Sequence, residues 1–185
     1  MRHRAFQNFF LGGALLLFAG LSGEADLATG QSYAVKFVDF DGRTISTADG
    51  VTSVIVLTPR ADVAKARLVA ARVPDFCLAN PAYRMVTVVN LVPARAGRAL
   101  VRLLMRHRLN TEAAQLQRRY DRKGISKDAR RDVFVVADFD GTATSALGMD
   151  RAAPAFRVFV FEGDGKLRRQ WRDVPDAAEL AAALR

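Results

Sequence analysis

Three short apolar runs, each rich in β-branched residues, limit the folds that this chain can adopt. They read SVIVLT at residues 53–58, MVTVVNLV at 85–92 and DVFVVA at 132–137. Continuous apolar runs of this length are typical of strands that are buried on both faces in the middle of a sheet. Segments with helical spacing of apolar residues separate them, at 61–73 and 98–120. This alternation predicts an α/β fold in which helices flank a central sheet.

Two tight reversals of the chain stand on either side of these elements. The four strand-like segments that they join cover residues 33–38, 43–47, 156–161 and 166–171. The first pair is joined by DFDG and the second by a turn that contains GDG, and such turns between strand-like segments predict β-hairpins. An alanine- and leucine-rich helix is predicted at 176–185. The predicted order is hairpin, strand, helix, strand, helix, strand, hairpin and helix.

The start of the chain has the pattern of a secretory signal peptide. Basic residues precede the apolar run LGGALLLFAGL at 11–21, and the small residues Gly23 and Ala25 predict cleavage after Ala25. The run is shorter than the roughly 20 apolar residues that a membrane-crossing helix needs. We therefore expect residues 1–25 to be removed and residues 26–185 to form one periplasmic or secreted domain that is not transmembrane after cleavage. An uncleaved anchoring helix is the alternative.

Cys77 is the only cysteine in the sequence. A chain with one thiol cannot form an internal disulfide, so its stability must come from packing. A lone cysteine is most often a small buried apolar residue, and this is the role expected of Cys77. The alternative is a reactive thiol, as in a one-cysteine peroxidase-like protein.

The formal net charge is +9, and the positive charge is concentrated between residues 95 and 131, where twelve basic residues accompany three acidic ones. A basic helix of this kind can contact an anionic surface or an acidic protein, although an ordinary solvated surface gives the same pattern. Nucleic acid is not expected as a partner, because the stretch has a single aromatic residue. The predicted basic surface consists of Arg98, Arg102, Arg106, Arg118, Arg119 and Arg122. The predicted buried residues of the same helix are Leu100, Leu103, Leu104 and Leu116.

The tetrapeptide DFDG occurs twice, at residues 39–42 and 138–141. After an apolar strand it is similar to the first motif of the haloacid-dehalogenase phosphatases, in which an aspartate nucleophile and a second aspartate act with Mg²⁺. The order of elements disfavours this activity, because the connection RTISTADGVT cannot form the helical crossover that two parallel strands need. Two aspartate–glycine turns explain both copies more simply. The phosphatase that uses the DFDG aspartates stays an alternative.

The order of these elements, with the residues in them, resembles the redoxin branch of the thioredoxin superfamily. The opening FVDFDGRTIS, the buried strand SVIVLTP and the closing RAAPAFRVFVFEGDGKL carry the resemblance, which covers residues 33–185. More narrowly, MVTVVN and VFVVADFDGTATSALGM are similar to the YtfJ-type periplasmic proteins, which lack the CxxC motif. The resemblance implies a thioredoxin-like fold, a central mixed sheet flanked by helices with an N-terminal β-hairpin extension.

The resemblance also implies where the active-site residues of the family would lie. The two cysteines of redox members correspond to Asp62 and Lys65, at the start of the first helix, and the cis-proline corresponds to Pro154. An aspartate and a lysine cannot perform thiol–disulfide exchange, which requires a thiolate. Cys77 follows the far end of that helix and is not expected to replace them. We therefore expect a degenerate active site that keeps at most a surface for binding a peptide.

Together these observations predict an exported thioredoxin-fold protein without redox cysteines that acts as a non-catalytic binding or accessory module of the cell envelope. The expected partner is an envelope protein or peptide, and no catalytic residue, cofactor or metal is expected. The alternatives are a Mg²⁺-dependent phosphatase and a thiol peroxidase-like protein that uses Cys77.

Overall fold

A computed structural model of the chain describes residues 26–92 and 97–185. The predicted signal peptide, residues 1–25, lies outside the described residues. The side chains of Arg98 and Arg102, two members of the predicted basic surface, also lie outside them.

The described part of the chain has its elements in the predicted order, with one short helix after the third buried strand, at Thr142–Ala146, that was not predicted. Its strands are β1 (Lys36–Val38), β2 (Thr44–Ser46), β3 (Thr52–Pro59), β4 (Tyr83–Asn90), β5 (Phe134–Asp138), β6 (Arg157–Phe161) and β7 (Leu167–Trp171). Its α-helices are α1 (Val63–Arg72), α2 (Arg98–Arg122), α3 (Thr142–Ala146) and α4 (Ala177–Ala183). Single 3₁₀ turns lie at Arg60–Asp62, Asp75–Cys77 and Ala129–Asp132. Of the helices described, none is both long and apolar enough to cross a membrane.

The larger sheet has five strands in the order β5-β4-β3-β6-β7. Strands β3, β4 and β5 are parallel, β6 is antiparallel to β3, and β7 is antiparallel to β6. The register pairs Pro59 with Asn90, and Asn90 with Asp138, so the parallel strands end together. Strands β1 and β2 form a separate antiparallel pair. The α/β fold with a central mixed sheet and an N-terminal hairpin is therefore confirmed.

Strand β3 lies in the middle of the sheet, and its alternate residues face two different layers. Val54 and Val56 pack with α1 and α4 in one apolar cluster. Ile55 and Leu57 pack on the other face with residues of the β1–β2 hairpin and α3. Because all four side chains are buried, the sequence of this strand shows no alternation between apolar and polar residues.

Helix α2 packs over β4 and β5 with a different face from the one predicted. Its buried residues are Val101, Met105, Leu109, Ala113 and Tyr120, whereas Leu100, Leu103 and Leu104 are exposed. Side chains four residues apart lie on the same side of a helix, so the buried set forms one face and the three leucines form the opposite one. The contacts of α2 with Val89 and Val135 fix this rotation. The prediction of those three leucines as core residues was therefore wrong, because hydrophobicity alone does not say which face meets the sheet.

Residues 30–33 pair with the closing hairpin formed by β6 and β7. The N–H of Gly30 donates to the carbonyl oxygen of Leu167 over 2.7 Å. The N–H of Tyr33 donates to the carbonyl oxygen of Gly165 over 2.9 Å. These hydrogen bonds tie the start of the described chain to a hairpin near its end.

Candidate functional site

The start of α1 lies at the carboxyl end of the central strand β3. The strand ends at Pro59, a 3₁₀ turn covers Arg60–Asp62, and α1 begins at Val63. Asp62 occupies the N-cap position, yet its side chain makes no capping hydrogen bond. In open α/β sheets, ligands bind beside the carboxyl ends of the strands. This end of the sheet is therefore the first place to look for a site.

Lys65 connects the first turn of α1 to two other segments. Its Nζ lies 3.2 Å from Oδ1 of Asp173, which follows β7, and 5.5 Å from the ring centroid of Phe156. Phe156 comes two residues after Pro154, so the structure brings Lys65 next to the segment that Pro154 opens. Asp62, Lys65, Pro154, Phe156 and Asp173 are called the α1 corner below.

Two hydrogen-bond donors stabilise the charged form of Asp173. The backbone N–H of Val174 and the ammonium group of Lys65 hold the pKa of the Asp173 carboxyl below its usual value. Lys65 thus faces a carboxylate on one side and the face of an aromatic ring on the other. Within residues 26–92 and 97–185, the Asp62 side chain has no hydrogen-bond or ion-pair partner. The α1 corner therefore presents a free carboxylate beside a lysine that is already paired.

Sequence reasoning missed two members of the α1 corner. Phe156 was assigned to a hairpin strand, but it precedes β6 and is buried in the apolar cluster under α1. Asp173 lies more than 100 residues after Lys65 in the chain. Its only local signal was a position next to the turn before the last helix, so no spacing pattern could link it to α1.

Cys77 lies after the opposite end of α1, in the 3₁₀ turn Asp75–Cys77. Its side chain packs in the apolar cluster that α1 and α4 share, and the residue is 9% exposed. Burial raises the pKa of the Cys77 thiol to about 11. A peroxidase needs a thiolate near neutral pH, so this environment disfavours the peroxidase-like alternative.

The first aspartate of the second DFDG turn acts as a local acceptor. Oδ2 of Asp138 accepts the N–H of Thr144 at 2.8 Å and its hydroxyl at 2.6 Å, and Oδ1 accepts the N–H of Ala143 at 3.3 Å. Asp138 and Thr144 are both buried. The carboxylate therefore anchors the first turn of α3 to the end of β5 and is not aimed at solvent.

The first aspartate of the other DFDG turn has the same kind of role. Oδ1 of Asp39 accepts the N–H groups of Asp41 and Arg43 at 3.0 and 2.7 Å, and Oδ2 accepts Nε of Arg43 at 2.6 Å. Strand β1, which precedes Asp39, pairs with β2 and not with β3. No three His, Cys, Asp or Glu side chains are grouped for metal binding in the described ranges. The phosphatase alternative is therefore disfavoured. Strand β1 is not a parallel neighbour of β3, and both candidate nucleophiles, Asp39 and Asp138, are buried.

The predicted basic surface divides into two groups. Arg106, Arg118 and Arg122 are exposed, and none of them pairs with an acidic residue in the part of α2 and its surroundings that the structure describes. Arg119 differs, because its guanidinium donates to the carbonyl oxygens of Ala70 and Val73 and lies 2.8 Å from Asp75. Arg119 therefore joins α2 to the end of α1. Among the predicted residues whose side chains are described, only Arg106, Arg118 and Arg122 are exposed and unpaired.

Comparison with known proteins finds similarity in structure only. No protein-family model matches the sequence, and no curated protein matches it. The exposed lipoprotein thioredoxin Etrx1 of Streptococcus pneumoniae is similar over 82% of this chain and 97% of its own, with a TM-score of 0.51 and 14% identity. Peroxidoxin BcpB of Mycobacterium tuberculosis is similar over 84% and 93%, with a TM-score of 0.50 and 16% identity. Identities this low establish a common fold and nothing further.

Proposed function

We propose that this thioredoxin-fold chain is an exported, non-catalytic binding module of the cell envelope, and that a peptide segment of an envelope protein binds at the α1 corner. One observation carries the proposal. The positions that need sulfur for disulfide exchange hold Asp62 and Lys65, while Cys77 is buried beyond the other end of α1 with a pKa of about 11. Without a thiolate there, the fold offers a surface and no redox chemistry.

The chemistry of the α1 corner suits an extended peptide. The Asp62 carboxylate has no partner among the described residues, so it is available to backbone N–H groups or to a basic side chain. Lys65 lies against Phe156 and Asp173, and these contacts restrict its side chain before a partner arrives. A rigid contact residue loses less conformational freedom on binding than a mobile one. The narrower likeness to YtfJ-type proteins is part of this proposal.

Export rests on the leader pattern of residues 1–25 and on the kind of protein that shares the fold. The leader has a basic start, an eleven-residue apolar run and small residues before Asp26. Among the similar structures, Etrx1 is described as an exposed lipoprotein. The test is to sequence the amino terminus of the protein recovered from the periplasm or medium. Recovery of a chain that begins at Asp26 supports export, whereas full-length protein in the cytoplasm contradicts it.

A gain-of-function substitution tests whether the α1 corner corresponds to a redox site without its sulfur. In a Cys77→Ala background, Asp62→Cys combined with Lys65→Cys should produce a protein that reduces insulin disulfides, because a helix N-terminus lowers the pKa of a thiol. The parent protein should be inactive in the same assay. The matched control is Thr111→Cys with Ala114→Cys, a pair with the same spacing on the exposed side of α2. Insulin reduction by the parent, or equal activity of the control pair, would refute the proposal.

Photo-crosslinking tests the proposed partner site directly. A benzoylphenylalanine introduced at Lys65 should crosslink to a discrete envelope protein in intact cells. The same probe at Arg169, an exposed residue of β7, serves as the control position and should give no such product. The crosslink should weaken when Asp62→Lys reverses the free charge of the corner. An unchanged crosslink yield in the Asp62→Lys variant would mean that the partner binds elsewhere.

A second contact is favoured by the outer face of α2. Leu100, Leu103 and Leu104 are exposed in its first two turns, and Arg118 and Arg122 are exposed in its last two. Exposed apolar side chains and arginines on one face of a helix are typical of helices that lie on anionic lipid surfaces. We propose such a contact for α2, as an anchoring surface that is separate from the α1 corner.

Vesicle flotation tests the lipid contact. The protein should bind phosphatidylglycerol vesicles and not phosphatidylcholine vesicles, and the binding should fall with salt because it depends on charge. Leu103→Asp and Arg118→Glu should each weaken it, whereas Arg169→Glu, which removes the same charge from β7, should not. Equal loss in all three variants would mean that net charge alone is responsible.

A further inference from the structure

A cavity of about 450 Å³ lies between α1, α2 and the sheet. Its floor is the face of β4 that carries Met85, Thr87 and Val89. Ala66 and Ala70 of α1 form one wall, and apolar residues of α2 form the other. Those residues are Met105, Leu109 and Leu116. The cavity is thus an apolar space over an inner strand of the sheet.

Small side chains and polar bridges keep this space open. The wall formed by α1 carries alanines, which do not reach α2. The two helices are joined by polar groups, since Nε of Arg67 lies 2.6 Å from Oε1 of Glu112 and Arg119 donates to the carbonyl oxygen of Ala70. Thr87 is consequently still partly exposed, although its neighbours Val86 and Val88 on the opposite face are fully buried. The inner strand β4 therefore stays accessible to solvent on this face.

The charged lining of the cavity is mainly cationic. Its basic residues are arginines 67, 84, 108, 119 and 122, and its acidic residues are Glu112 and Asp132. Arg67 pairs with Glu112, and Arg119 pairs with Asp75. Arg108 and Arg122 are exposed and have no ion-pair partner in the described ranges. These two exposed guanidinium groups, on the solvent side of the cavity, therefore remain available to an anion.

We propose that this cavity binds a fatty acid, with its alkyl chain over β4 and its carboxylate at Arg108. Ligand cavities are typically about 300–1,000 Å³ in volume, mostly apolar, with a few polar groups that fix orientation. The apolar walls suit an alkyl chain, and the planar guanidinium suits a carboxylate, which it binds through two parallel hydrogen bonds. The excess of positive charge in the lining disfavours a cationic ligand. The site shares no residue with the α1 corner and does not depend on what binds there.

Calorimetry with three single-chain probes of equal length tests the proposal. Dodecanoate, kept below its micelle concentration, should bind the full protein saturably with one molecule per chain. Dodecanol, which lacks the charge, should bind about tenfold more weakly, and dodecylammonium should not bind. Absence of saturable dodecanoate binding, or equal binding of dodecylammonium, would overturn the proposal.

Two arginines of α2 provide the decisive pair of variants. Arg108→Glu should weaken dodecanoate binding about tenfold or more and leave dodecanol binding unchanged. Arg106→Glu makes the same charge change at an exposed position that does not line the cavity, and it should leave both affinities unchanged. Equal losses in the two variants would assign the effect to net charge and contradict the site. Both side chains are exposed, so neither change threatens folding.

Filling the cavity tests where the alkyl chain lies. Ala70→Phe should abolish binding of both dodecanoate and dodecanol, because the ring would occupy the space beside Thr87. Leu103→Ser alters the exposed leucines of α2 and should leave binding intact. Undiminished binding to Ala70→Phe would place the ligand elsewhere. If Ala70→Phe does not fold, the arginine pair decides the question.

Discussion

The glycines of the two DFDG turns have the same backbone geometry and different surroundings. Both have positive φ, +82° for Gly42 and +78° for Gly141. A Cβ added at Gly42 would meet nothing within 4 Å, whereas one at Gly141 would overlap the side chain of Arg151. The two identical tetrapeptides therefore differ in whether there is space for a side chain at the glycine, because only the second turn is packed against the loop that leads to Pro154.

Alanine at these two positions should therefore have unequal effects. Gly42→Ala should lower the free energy of unfolding by about 1–2 kcal/mol, the strain of a left-handed residue with a side chain. Gly141→Ala should lower the free energy of unfolding by about 1–3 kcal/mol more than Gly42→Ala does, because the overlap with Arg151 adds to the backbone strain. Urea denaturation of both variants measures the difference. Equal losses would mean that the Arg151 loop moves away freely.

The thiol of Cys77 should react slowly while the protein is folded. Its pKa of about 11, raised from 9.0 by burial, leaves about a hundredfold less thiolate at pH 8 than an unperturbed cysteine has. Alkylation by iodoacetamide should therefore be at least about a hundredfold slower than for free cysteine, and should become fast in urea. Reaction of the folded protein at the rate of free cysteine would show that Cys77 is open to reagents.

Helix α2 carries leucines on both of its faces, and only the packed face contributes to the core. Leu109 is 2% exposed and Leu103 is 64% exposed. Leu109→Ala should lower the free energy of unfolding by about 2–4 kcal/mol through lost burial, and Leu103→Ala should change it by less than about 0.5 kcal/mol. Urea denaturation of the two variants compares the same substitution on one helix. A large loss from Leu103→Ala would reverse the assignment of faces.

Asp75 bridges the end of α1 to α2 and gives stability a dependence on pH. Lys123 and Arg119 lie 2.5 and 2.8 Å from its carboxylate and lower its pKa in the folded protein below the ordinary 3.8. A lowered folded pKa stabilises the protein above the unfolded pKa, and this contribution is lost as pH falls through the folded value.

Asp75→Asn should therefore lower the melting temperature at pH 7, and its difference from the parent should shrink as the pH is taken from about 4 downward. Asp121→Asn removes the same charge from α2 without touching the bridge to α1, and it is the control. Thermal melts between pH 2 and pH 7 measure both variants. A difference between Asp75→Asn and the parent that is constant over this range would mean that the bridge contributes nothing.

Elements were more predictable than the contacts between them. The β-branched runs predicted β3, β4 and β5, because a strand that is buried on both faces must be apolar throughout. The rotation of α2 was not predictable, since arginines and leucines occur on more than one side of it and contacts with distant residues such as Val89, Leu91 and Val135 decide which side is buried. At the α1 corner, Asp62 and Lys65 were named through the resemblance to the redoxins, and their role as site residues stays a prediction. Asp173 was not named, because its contact with Lys65 exists only after the sheet has formed.

At the scale of the whole molecule, the two faces of the five-stranded sheet are packed differently. The face toward the β1–β2 hairpin and α3 is filled by large side chains such as Phe159 and Phe161. The face toward α1 and α2 is closed over β3 but open over β4, where the cavity lies. None of the five residues of the α1 corner lines the cavity, although Val63 of the first turn of α1 does. One sheet therefore supports two contact sites that meet at the start of α1.

The pairing of residues 30–33 with the β6–β7 hairpin affects how the polypeptide matures during synthesis. A ribosome adds about 5–20 residues per second, so Gly30 emerges on the order of ten seconds before Leu167, to which it donates its N–H. Throughout that interval residues 30–33 lack the hairpin with which they pair. A chain that terminated before Leu167 would therefore lack these hydrogen bonds.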